Sequence, residues 1–163
     1  MKKIISIAVV IVGVFCSFTA IPKFYGKRIL PKNIAPSFSA QYPDAKIKNW
    51  VEKGDEFIVN FVDGKQKCEA YYSPDGRWIQ SRIKMAWTKD LPMAVRQSLD
   101  KNGYGAWYVD EIREVRSPGK VAYRVHVDNG TLLDADHYDV FKTDYVLNFA
   151  PDGTLIKKRE IVQ

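Results

Sequence analysis

The chain has 163 residues, a formal charge of +6, 46% hydrophobic and 27% charged residues, a balance that belongs to a globular protein and excludes a disordered one. Lys and Arg are spread along the chain and not gathered into a tract, so nucleic acid is not indicated as a partner. The one tight basic group, Lys157, Lys158 and Arg159, reads as a solvated strand end.

In chain order, residues 1–20 have the parts of a secretory signal peptide: Lys2 and Lys3, an apolar run over 4–15, then mostly small residues ending at Ala20. Cleavage after Ala20 takes the formal charge to +4. An uncleaved anchor is the rival reading, but the apolar run falls short of the ~20 residues a bilayer span needs. Lipidation at Cys16 is disfavoured by bulky Phe15 before it. With Cys16 removed, Cys68 has no disulfide partner and reads as a buried small hydrophobe. The location expected is periplasmic or secreted, with no stable membrane span after processing. Residues 21–33, with two prolines and a glycine, read as a linker.

The remainder repeats itself. Ser73-Pro74-Asp75-Gly76 and Ala150-Pro151-Asp152-Gly153 are 77 residues apart. Each follows an aromatic residue (Tyr72, Phe149) and precedes an apolar pair (Trp78-Ile79, Leu155-Ile156). Pro-Asp-Gly makes a turn because proline presets φ, aspartate bonds the local backbone and glycine accepts positive φ. Phe57, Val59 and Phe61 correspond to Tyr123, Val125 and Val127, and Tyr42 to Tyr104; the growing offset places insertions in the second copy, the longest within 128–139.

Each copy predicts a short helix (34–41 and 91–101), a strand (near 46–52 and 107–115), a hairpin and a last strand beyond the Pro-Asp-Gly turn. Asp63-Gly64 suits a two-residue hairpin turn, and Asn102-Gly103 a helix stop. The fold class expected is therefore α+β, a tandem repeat of one helix plus a four-stranded antiparallel sheet. The first repeat spans 34–83, a linker 84–90, and the second repeat 91–163. Alternation points Phe57, Val59, Phe61, Cys68, Ala70 and Tyr72 at the helix, with Tyr123, Val125, Val127, Tyr145, Leu147 and Phe149 doing the same in the second copy. The opposite face then carries Ile58, Asn60, Tyr71, Trp78, Arg124, His126, Val146 and Asn148.

Tyr42-Pro43-Asp44-Ala45 with Trp50, the Leu91-Pro92-Met93-Ala94-Val95 helix start and the two Pro-Asp-Gly turns resemble the PepSY-like family of exported bacterial proteins, related in fold to the beta-lactamase inhibitory protein. The resemblance spans about residues 34–160. It implies an extracytoplasmic location and binding or inhibition of another protein through a sheet face, and it supplies no catalytic residues. The insertion at 128–139 and the apolar run Met85-Ala86-Trp87 depart from the family pattern.

Candidate chemistry is sparse. His126, between Arg124 and Asp128 in sequence, reads as a solvated strand histidine before a ligand or catalyst. Asp134, Asp136, His137 and Asp139 are dense in hard ligands but match no calcium or zinc spacing, so no metal or cofactor is expected. Asp110 and Glu111 are strand neighbours, expected to face opposite ways. No nucleophile elbow or phosphate loop occurs, and no catalytic residue is assigned. The function expected is an extracytoplasmic protein-binding or inhibitor-like module, not an enzyme. Its partner would be another extracytoplasmic protein, met through Tyr71, Trp78, Arg124 and His126 because aromatic anchors with polar surrounds are what interfaces use. The alternatives are a binder of a small ligand or envelope polymer, or a weak periplasmic hydrolase.

Overall fold

The structure, a computed structural model, describes residues 23–25, 29–130 and 143–161. The signal-like segment 1–20 and the cluster Asp134, Asp136, His137 and Asp139 lie outside the described residues. Nine antiparallel strands follow one another across a sheet in sequence order: β1 (Lys23–Tyr25), β2 (Lys46–Lys53), β3 (Glu56–Asp63), β4 (Gln66–Tyr72), β5 (Trp78–Met85), β6 (Tyr108–Ser117), β7 (Lys120–Asp128), β8 (Asp144–Phe149) and β9 (Leu155–Ile161). Helix α1 (Ala35–Gln41) precedes β2, and α2 (Met93–Lys101) lies between β5 and β6 after a 3-10 turn at Thr88–Asp90.

The expected tandem of one helix plus a four-stranded sheet is corrected. Strands β5 and β6 pair from Ser81↔Arg116 to Met85↔Ile112, so the strands join into one continuous sheet. With helices α1 and α2 of only seven and nine residues, the described residues are mostly β. The pairing also draws Lys84 and Met85, read as linker, into β5. Residues 21–33 likewise depart from a plain linker. Lys23–Tyr25 pairs with β2, and Leu30 is buried.

Both helices pack on one face, as the alternation predicts. Phe38 of α1 meets Phe61 edge-on at 5.1 Å, in a cluster with Ile34, Val59, Cys68, Ala70 and Tyr72. Val95 and Leu99 of α2 pack with Ile112, Val125, Val127, Leu147 and Phe149. Cys68 is a free, buried residue of the first cluster, and burial pushes its thiol pKa up.

The turns behave as their sequences require, with one adjustment. The β3–β4 ladder closes on Asp63↔Gln66, so the two loop residues are Gly64 and Lys65, one position later than Asp63-Gly64. Gly64 alone has positive φ, 58°, which fits a turn with glycine first.

Candidate functional site: the open face of the sheet

The sheet face away from the helices is charged. Cross-strand register aligns Lys84, Arg113, Arg124, Asn148 and Lys157 in one row over β5 to β9. The neighbouring row carries Asn60, Glu69 and Arg82. Arg113 occupies the centre of an ion-pair network. Its guanidinium donates two hydrogen bonds to Glu111, at 2.8 and 3.0 Å, and stands 2.8 Å from Glu69. The Arg113 fork holds the Glu111 carboxyl below its ordinary range, and the two carboxylates raise the Arg113 pKa in return. Arg82 lies over the Tyr71 ring at 4.3 Å, and the Tyr71 hydroxyl donates to Glu69 at 2.8 Å.

Arg124 is placed differently. It faces Arg113 directly across the β6–β7 ladder, and its Nε donates to the Asn148 side-chain oxygen at 3.2 Å. Partial burial, then the positive charges of Arg82, Arg113 and Arg159, lower its pKa. Arg124 thus sits partly buried among positive charges.

The four residues singled out from sequence have separate fates. Arg124 and His126 lie on the open face as expected, opposite Asn148 and Val146. Tyr71 is also there but only 6% exposed, roofed by Arg82. The face assigned to Trp78 is corrected. The β4–β5 register jumps from Tyr71↔Gln80 to Tyr72↔Trp78, and this bulge turns Trp78 onto the helix face. There it packs on the first core cluster and donates to Ser81 at 2.8 Å.

A second bulge corrects another reading. Between Val109↔Val127 and Glu111↔His126 the β6–β7 register skips Asp110, a bulge in β6. Asp110 and Glu111 therefore do not point apart. Asp110 stands 3.6 Å from His126 Nδ1, while Glu111 reaches Lys84 and Arg113 on that same face. Asp110, His126 and Asp144 each offer one ligand atom, all within 4.8 Å of one another, the one such grouping among the described residues.

Sequence reasoning gave no site role to Glu69, Arg82 or Arg113, and set Glu111 aside as facing away from Asp110. The signal was present, because Glu111, Arg113 and Val115 are strand positions of one phase. It also left Trp87 undecided. Trp87 is 65% exposed beside a groove of about 400 Å³ lined in part by Lys67, Lys84 and Glu111. Those three residues also line the adjoining groove of about 350 Å³ with Glu69, Arg82 and Arg113. The open face and Trp87 are thus one continuous surface.

Solved structures share this one-sided antiparallel meander with its two short helices. A BLIP-like protein from Bacteroides fragilis superposes with a TM-score of 0.70 at 21% identity, over 83% of this chain and 90% of that one. A DUF2874 family protein from Bacteroides uniformis gives 0.69 at 18% identity, over 81% and 90%. A proposed periplasmic protein from Bacteroides eggerthii gives 0.68 at 18%, over 82% and 90%. No family model and no curated protein sequence matches the chain. Among the described residues no helix is long and apolar enough to cross a membrane.

Proposed function

We propose that the chain is an exported, PepSY-like protein-binding module, inhibitor-like in action and without catalytic activity, whose open sheet face receives an acidic surface of another extracytoplasmic protein. The observation that carries this is the Arg113–Arg124 pair. Like charges directly opposite on neighbouring strands destabilise a sheet. Arg113 is neutralised by Glu69 and Glu111, whereas Arg124 donates to the neutral side-chain amide of Asn148. A half-buried arginine kept among like charges is poised to meet a carboxylate, and interface arginines are frequent hot spots. Trp87 supplies an exposed aromatic anchor at the rim, the part first given to Trp78. The extracytoplasmic setting rests on the signal-like N-terminus and on the proposed periplasmic neighbour; the inhibitor-like mode rests on the BLIP-like one.

The test is capture from envelope extracts with the processed chain as bait, beside Arg124→Glu and Trp87→Ala. The native bait should retain a protein that elevated salt releases, since charge-steered contacts are screened. Both variants should fold and lose it. Capture indifferent to both substitutions would sink the proposal.

A further inference from the structure

We propose that Asp110, His126 and Asp144 form a binding site for a divalent transition-metal ion of the zinc class. The three side chains come from β6, β7 and β8, neighbouring strands at the end of the sheet where β7 stops and β8 begins. The bulge in β6 brings Asp110 alongside His126, and Asp144 lies one step diagonally from His126 in the β7–β8 register. Their ligand atoms lie within 4.8 Å of one another. Ions of this class hold nitrogen and oxygen ligands at about 2.0–2.2 Å, which sets ligand atoms roughly 3.3 Å apart in a tetrahedral site. Closing that difference asks for rotation of the Asp110 and His126 side chains, neither of which is fully buried.

The histidine gives a second, independent reason. Its Nδ1 stands 3.6 Å from Asp110, beyond hydrogen-bond range, and its Nε2 is buried with no hydrogen-bond partner. A histidine in a settled strand position normally satisfies its ring nitrogens by hydrogen bonds or water. Two carboxylates and an imidazole suit zinc or manganese better than calcium, which takes six to eight oxygens. Asp144 is only 2% exposed and forms the floor of the site, while Asp110 is exposed and leaves an entrance. Three protein ligands leave room for water or a donor from a bound partner.

The test is isothermal titration of the processed chain, without a histidine tag, using Zn2+ and then Mn2+ alone as probes. One equivalent should bind, and Asp110→Asn and His126→Gln should each weaken it by at least about tenfold. The native melting midpoint should rise with Zn2+ and those of the two variants should not. Asp110 is exposed, so its variant keeps the fold and remains an informative arm. Absence of binding at submillimolar Zn2+, or unchanged affinity in both variants, overturns the proposal. The Arg124→Glu variant should bind Zn2+ like the native chain, which separates failure of this site from failure of the protein-binding reading.

Discussion

Arg113 and Arg124 stand directly opposite one another on β6 and β7, yet only Arg113 is bracketed by carboxylates, those of Glu69 and Glu111. The two should therefore respond oppositely to neutralisation. Arg124→Gln relieves a like-charge contact and should leave the urea midpoint unchanged or raise it, while weakening capture of an acidic partner. Arg113→Gln leaves two carboxylates facing each other without their shared donor and should lower stability by about 2 kcal/mol. Equal losses in both variants would show that the network does not divide as described.

Glycine at 76 and at 153 is set by close approach as well as by backbone angle. Both have positive φ, 84° and 86°, and a Cβ would collide with the Asn33 carbonyl at Gly76 and with the Ala94 carbonyl at Gly153. Left-handed strain and overpacking add, so Gly76→Ala and Gly153→Ala should each cost about 3 kcal/mol or more. Gly64 shares the positive φ, but nothing lies within 4 Å of its added Cβ. Gly64→Ala should cost only about 1 kcal/mol. Chemical denaturation of the three variants side by side measures the difference.

Trp78→Ala should destabilise the fold, by about 2 kcal/mol, because the ring packs on the core and its Nε1 bonds Ser81. Trp87→Ala removes an exposed ring and should leave the melting temperature nearly unchanged. A thermal melt of each variant tests the pair, and a silent Trp78→Ala would mean that the bulge does not hold the ring inward.

Burial, and then the hydrogen bond it donates to the Glu69 carboxylate, push the Tyr71 phenol up to about 12. Its unfolded value is about 10. A raised folded pKa means that the native state holds the proton longer, so this stability is intact below pH ~10 and is lost as pH climbs toward 12. Burial raises Tyr72 as well, so tyrosinate absorbance should show a late-titrating component that Tyr71→Phe diminishes by one phenol, together with a shallower alkaline fall in stability. A Tyr71 that ionises with the exposed tyrosines would contradict its burial and its hydrogen bond to Glu69.

Local chemistry determined a good deal here. The helices at Ala35–Gln41 and Met93–Lys101, the hairpin after Asp63 and the two Pro-Asp-Gly turns depend on residues close in sequence, and they lie where the sequence puts them to within a few positions. Strand alternation likewise placed Arg124 and His126 on the open face and Val125, Leu147 and Phe149 under the helices, because a two-residue period needs no knowledge of the partner strand.

Three things depended on which strands meet. The β5–β6 pairing merged two expected sheets into one, and such pairing is set by contacts distant in sequence. The bulges at Tyr71/Tyr72 and Val109/Glu111 are register slips, properties of two strands together, and a one-residue slip carries a side chain to the other face. One slip took Trp78 inward; the other brought Asp110 beside His126. The grouping of Asp110, His126 and Asp144 joins residues of three strands with no regular spacing, so only the folded sheet brings their ligand atoms within reach of a single ion.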